Sequence, residues 1–214
     1  MSKIISWPKD TVPLELVSKM LDFYKQQTPY DSNFKGKDLR GLPPTRSDLP
    51  ELYEFIEALG YTILDNIPSG NYFETASPYP IHVDTGKGTT HSLDYTIFLF
   101  PLYLPADSIS YLILLNQTWL GEASTFTKQP WTKGWNHMIT DYNDITGIEY
   151  GKWDSRLNEL GISFTDLTVD GMSIDTIISW KVGSIVSFPC NQLHFSVTSS
   201  SIPKIGLSLR LKCK

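Results

Sequence analysis

His82 and Asp84 stand two residues apart in the run Pro80-Ile81-His82-Val83-Asp84. In an extended strand, residues at that spacing project to the same face. A neutral imidazole and a carboxylate on one face make two-thirds of a facial metal site. The third ligand must come from elsewhere in the chain, and His194 is the best-placed candidate. Two histidines and one carboxylate on one side of a cation leave the opposite positions open to small molecules. His-x-Asp alone is a weak pattern that arises by chance in most chains of this size. What surrounds His194 gives it weight.

The C-terminal run alternates strands and turns. Residues 178–182 lead to Gly183, and Ser184 to Pro189 form a β-rich stretch closed by proline. Cys190-Asn191-Gln192 reads as a turn and Leu193 to Thr198 as the next strand. After a turn at 199–203, Lys204 to Cys213 form a final strand with strict alternation. Ile205, Leu207, Leu209, Leu211 and Cys213 share one face; Lys204, Gly206, Ser208, Arg210, Lys212 and Lys214 share the other. Any half-exposed strand shows such alternation, so the pattern by itself assigns no chemistry. A solvated basic face is the ordinary reading of these lysines when they stand alone.

In chain order, His82-x-Asp84, the strand from Gly183 to Pro189, His194 and a basic residue ten positions on at Lys204 resemble the Fe(II)/2-oxoglutarate-dependent oxygenases, in their prolyl-hydroxylase-like branch. The resemblance covers residues 61–214 by architecture, but its specific motifs amount to fewer than twenty residues. It implies a mainly β protein with N-terminal helices, folded as a double-stranded β-helix (jelly roll, cupin-like). It implies that His82, Asp84 and His194 bind Fe(II), and that Lys204 pairs with the distal carboxylate of 2-oxoglutarate. The family usually carries Arg at that position, so Arg210, six residues along the same face, is a second candidate for the anchor. Ser208 would add a hydrogen bond. O2 as cosubstrate, stimulation by ascorbate, and hydroxylation or demethylation with release of succinate and CO2 follow from the same resemblance.

Two other classes compete. A cupin-like binding module would use the same sandwich for metal or ligand binding without redox chemistry. A nucleic-acid dealkylase would explain the spacing of Lys204 and Arg210, since some dealkylases of the superfamily carry two basic residues at that separation. The net charge of −5 and the pI near 5.3 weigh against nucleic acid, which needs concentrated positive charge. A small molecule or a protein side chain is the expected substrate.

A length of 214 residues with 41% hydrophobic and 13% aromatic content fits a single globular domain over 1–214. No run approaches the roughly 20 apolar residues of a membrane span. The N-terminal residues lack the apolar core of a signal peptide, and Cys190 and Cys213 fit neither a disulfide framework nor a zinc site. Both observations point to a cytoplasmic protein with reduced thiols.

The elements that must position the site divide at about residue 60. Helices are expected over 13–27, with Leu14, Val17, Met20, Leu21 and Tyr24 at helical spacing, and after Asp48, with Leu49, Leu52, Tyr53, Ile56 and Leu59 as the apolar stripe. Asp48 and Glu51 suggest a capping box, and Gly60 a C-terminal stop. Residues 28–47 read as an irregular connection. These N-terminal helices carry no chemistry and would cover one face of the sheet. From Tyr61 the period changes to strands at 61–64, 71–75, 79–84, 92–104 and 111–116. Residues 85–91 form a glycine-rich loop whose His91 is a rival ligand or substrate contact, though an exposed loop histidine is the plainer reading. Asp94 would be a partner for a ligating histidine. An aromatic-rich insertion at about 117–176, with a short helix at 154–160, would place Trp119, Trp131 and Trp135 as a lid over the barrel mouth or as packing against its body.

Overall fold

The computed structural model describes residues 4–8, 10–31, 38–64, 69–76, 79–84, 95–118, 126–127, 138–139, 155–156, 173–199 and 202–214. Its elements in chain order are β1 (Ile5–Trp7), α1 (Leu14–Lys25), β2 (Tyr30–Asp31), β3 (Asp38–Gly41), α2 (Pro50–Ala58), β4 (Ser69–Thr75), β5 (Tyr79–His82), β6 (Tyr95–Tyr103), β7 (Ile109–Thr118), β8 (Phe126–Thr127), β9 (Met138–Ile139), β10 (Ile174–Ser179), β11 (Ile185–Pro189), β12 (Gln192–Ser199) and β13 (Lys204–Lys212).

Two antiparallel sheets make the body: a larger one in the order β1-β11-β6-β13-β4-β3-β2, and a smaller one in the order β10-β7-β12-β5. Strands β4 to β7 and β10 to β13 are dealt alternately to the two sheets, which gives the double-stranded β-helix. The apolar stripes set the layers. Leu207, Leu209 and Leu211 of β13 and Phe98, Phe100 and Leu102 of β6 face the helices, where they pack with Leu16, Val17, Met20, Leu52, Tyr53 and Ile56. Ile97 and Leu99 of β6 point the other way, into the space between the sheets, with Leu112, Leu114, Val186 and Phe188. Strand β6 is therefore covered on both faces, which explains why it reads as an unbroken apolar run. Each fully buried aliphatic side chain of these layers contributes about 1.5–3 kcal/mol relative to exposure.

The N-terminal region departs from the sequence expectation in three places. Residues 28–47 are not wholly irregular: β2 and β3 pair with each other and extend the larger sheet beyond β4 through the register Arg40↔Phe73. The expected strand at 61–64 is a single bridge, Ile63↔Cys213, flanked by backbone hydrogen bonds between Thr62 and Lys214. The capping box does not form. Leu49 is the N-cap of α2 without a side-chain bond, while the Asp48 carboxylate accepts from Thr45 N and Oγ1 at 2.8 and 2.6 Å. Asp48 thus closes the preceding turn, a local bond that competes with capping. Gly60, at φ +95°, does end α2 in the left-handed conformation that glycine adopts without a Cβ penalty.

Candidate metal centre

Strand pairing brings the histidines together. β12 lies beside β5 with His194 directly opposite His82, although 112 positions separate them in sequence. Strand β5 ends at His82, and Asp84 lies just beyond it, where its N–H donates to the Cys190 carbonyl at 2.9 Å. Cys190 N in turn donates to the Tyr95 carbonyl at 3.1 Å. The backbone of Asp84 is therefore tied to the turn between β11 and β12, the same turn that leads into His194.

Its two oxygens face one imidazole each. Oδ1 lies 3.7 Å from His82 Nε2 and Oδ2 lies 3.6 Å from His194 Nε2. The three ligand atoms all fall within 4.8 Å of one another. Both oxygen–nitrogen separations exceed hydrogen-bond length. His194 is 4% exposed, and its Nδ1 lies 2.8 Å from the Gln192 carbonyl oxygen. A carbonyl can only accept, so Nδ1 carries the hydrogen, which leaves Nε2 as the ring nitrogen that faces Asp84. Gln192 is itself pinned, donating through Nε2 to the carbonyls of Leu115 and Gln117. The His194 ring packs at 4.8 Å on the edge of Phe188 and at 4.1 Å on His82. These contacts hold the ring plane before any ion arrives.

The trio opens onto a cavity of about 340 Å³ between the sheets. At its wall stands Lys204, 1% exposed, with Nζ donating to Ser110 Oγ at 2.8 Å and lying 4.5 Å from the Trp180 ring centre. Ser110 Oγ also meets Thr198 Oγ1 at 3.0 Å. Burial in these neutral surroundings pushes the Lys204 ammonium down to about 7. A cation so placed is expensive to bury and is relieved by an anion in the cavity.

His82, Asp84, His194, Lys204 and Ser208 all line this cavity. Arg210 shares the strand of Lys204 and Ser208 but does another job: its Nη1 donates to the Asp84 carbonyl at 2.8 Å and its Nη2 to Ser69 Oγ at 2.6 Å. Tyr30, Arg40, Asn71 and Trp180 line the cavity without having been singled out as site residues. For the first two, the clue was hidden in a stretch whose pairing depends on β4. His91, Asp94, Trp119, Trp131 and Trp135, and nearly all of the expected helix at 154–160, lie outside the described residues.

No protein-family profile matches the sequence, and no curated protein matches it. Solved structures do. A prolyl-4-hydroxylase of Pseudomonas putida superposes with a TM-score of 0.51 at 9% identity, over 98% of this chain and 91% of that one. SnoN, a non-heme α-ketoglutarate-dependent epimerase from nogalamycin biosynthesis, superposes with a TM-score of 0.52 at 10% identity, over 98% of this chain and 76% of that one. The chain has the double-stranded β-helix fold of the 2-oxoglutarate/Fe(II) oxygenases. No helix among the described residues is long and apolar enough to cross a membrane.

Proposed function

We propose that the protein is an Fe(II)/2-oxoglutarate-dependent dioxygenase that hydroxylates or demethylates a small molecule or a protein side chain. One observation carries the reading: His82, Asp84 and His194 converge in the same cavity as the fully buried Lys204. The donor set fits the ion. Two imidazoles and a carboxylate, converging at separations too long for hydrogen bonds, are the ligand types of a facial non-haem iron site. When bound, Fe(II) with 2-oxoglutarate and O2 supplies the oxidation: one oxygen atom ends in succinate as CO2 leaves, and the other enters the substrate.

The chain's own residues bind, orient and exclude water. The Gln192 carbonyl holds the His194 tautomer, and the Cys190 carbonyl and Arg210 hold the backbone of Asp84. Lys204 and Ser208 face the cavity from one strand, with Lys204 as the counter-charge for the distal carboxylate of 2-oxoglutarate and Ser208 as a further polar contact. Phe188, Leu99, Leu112 and Trp180 add apolar wall to the same cavity, which strengthens each charge contact beside it.

Anaerobic titration with Fe(II) and 2-oxoglutarate tests this. The expected result is the weak visible charge-transfer band of the chelate, lost in His194→Ala. Metal binding without a band, and without 2-oxoglutarate turnover, would replace this reading with that of a metal-binding module of the same fold.

A further inference from the structure

Lys204 has a use that anion binding does not exhaust. Its Nζ, on a side chain 1% exposed, donates to Ser110 Oγ at 2.8 Å and lies 4.5 Å from the Trp180 ring centre. Ser110 Oγ in turn donates to the Val197 carbonyl at 3.1 Å and stands 3.0 Å from Thr198 Oγ1. Every one of these groups is neutral. Lys19 shows the contrast: it is half-exposed, 2.8 Å from Glu51 and 3.4 Å from Glu15, and those carboxylates raise its pKa. Lys204, desolvated beside a hydroxyl and an indole, is pushed down to about 7 and becomes a nucleophilic free base near neutral pH. Trp180 shows what is missing beside it. That side chain is 5% exposed and lines the same cavity, and its Nε1–H is buried with no hydrogen-bond partner among the described residues. A buried donor left unpaired is costly, so the seat of Lys204 is short of an acceptor.

We propose that CO2 adds reversibly to Lys204 Nζ, and that the resulting carbamate takes the seat of the distal carboxylate of 2-oxoglutarate and weakens its binding. The Nζ lone pair forms the N–C bond, one C=O electron pair of CO2 moves onto oxygen, and one amine proton passes to water. Nothing is oxidised or reduced: amine plus CO2 becomes carbamate plus a proton. The cavity of about 340 Å³ that Lys204 lines has room for so small an addition. The carbamate keeps an N–H for Ser110 Oγ, and it brings two acceptor oxygens into the cavity that Trp180 lines, where they accept from Nε1. It also turns a group that attracts carboxylates into one that repels them. Carbamate formation stands on the cavity alone. Its consequence rests on the oxygenase reading, in which turnover itself releases CO2 into this cavity, so that the product restrains the next binding event.

The test equilibrates the protein at pH 8 with carbon-13-labelled bicarbonate and CO2, traps carbamates with triethyloxonium ion, and locates the label by peptide mass spectrometry. The expected result is a labelled fraction at Lys204 at least tenfold that at Lys19, a comparison within the wild type that needs no variant to fold. Trp180→Phe, which keeps an aromatic face, is expected to lower the Lys204 fraction at least threefold. Calorimetry with Mn(II) and 2-oxoglutarate follows, in bicarbonate buffer and in CO2-free buffer of equal pH and ionic strength. Affinity is expected to be at least threefold lower with CO2 in the wild type and unchanged by CO2 in Lys204→Arg. Equal labelling of Lys204 and Lys19 would overturn the proposal, and an unchanged fraction in Trp180→Phe would remove the indole from the carbamate's seat. An affinity loss as large in Lys204→Arg as in the wild type would put the effect of CO2 elsewhere and overturn the competition. If 2-oxoglutarate binds and Lys204 stays unlabelled, the carbamate alone fails. If Lys204 is labelled and 2-oxoglutarate binds in neither buffer, the oxygenase reading fails and the modification remains.

Discussion

Arg210 donates from Nη1 to the backbone carbonyl of Asp84 over 2.8 Å, tying the last strand to the residue just beyond β5. Asp84 needs this tie because it lies past the end of the ladder, where only its N–H to the Cys190 carbonyl otherwise fixes it among the backbone bonds described. The second Arg210 nitrogen is anchored on Ser69 Oγ at 2.6 Å, and the guanidinium lies 5.6 Å from the Tyr95 ring centre, so the strut is held at three points. Arg210 is thus a positioning residue for the carboxylate. Partners of this kind are worth about 10–100-fold in metal affinity. Arg210→Met is expected to weaken Co(II) or Mn(II) binding by that order, read by calorimetry without turnover, and Arg210→Lys to recover part of it. An unchanged metal affinity in Arg210→Met would remove the role.

As the proposed counter-charge of 2-oxoglutarate, Lys204 is expected to make its binding sensitive to pH. Its ammonium is pushed down to about 7 by burial, so above that pH the free protein holds a neutral amine. A carboxylate beside it favours the charged form, and binding then takes up a proton. Tyr30, Arg40, His82, Asp84 and His194 are the other ionisable groups lining the cavity. Affinity is expected to fall up to tenfold per pH unit above about 7. Calorimetry at pH 8 in buffers of different ionisation enthalpy should show proton uptake approaching one, and Lys204→Arg should abolish the uptake.

The same shift appears in stability, with a sign that follows from linkage. Between about 7 and the ordinary lysine value of 10.5, the unfolded chain keeps a proton that the folded chain has lost. Stability therefore rises with pH in that window, by at most about 1.4 kcal/mol per unit from this group. Below it, the full cost of burying the charge is present. Lys204→Met should be more stable than wild type at pH 7, and urea titrations at pH 7 and 9 should show the gap narrowing.

Much of this was legible because period and order survive in the sequence. The alternation of β13 assigns Leu207, Leu209 and Leu211 to the helices and Lys204 and Ser208 to the cavity. It also grouped Arg210 with them, since a period of two gives the face and not the place along it. Six residues on, the same face reaches the backbone carbonyl of Asp84 and the Ser69 hydroxyl instead of the cavity. Arg40 was illegible for a different reason. β2 and β3 are two and four residues long and contain Asp, Arg and Gly, so their strand state comes from the free edge of β4 rather than from their own propensity. Asp48 misled because a turn and a helix start offer the same carboxylate similar partners, and the Thr45 N–H and hydroxyl won.

Gly206 ties packing to the surroundings of Lys204. A Cβ there would fall 2.5 Å from Phe73 Cζ and 2.7 Å from the Trp180 ring, inside contact distance of both. Neither ring has slack: the two pack edge to face at 5.7 Å between centres, Trp180 lies under the Lys204 ammonium, and Phe73 lies under Arg40. Gly206→Ala is therefore expected to cost about 1–3 kcal/mol of stability, as overpacking does, and to weaken 2-oxoglutarate binding through the displaced Trp180. Gly60→Ala separates the two effects. Nothing lies within 4 Å of a Cβ at Gly60, but its φ of +95° strains any other residue, so stability should fall by about 1 kcal/mol while 2-oxoglutarate affinity stays the same. Parallel urea titrations and Mn(II)/2-oxoglutarate calorimetry on the two variants decide it. If both lose stability and neither loses affinity, Trp180 is not part of the lysine's seat.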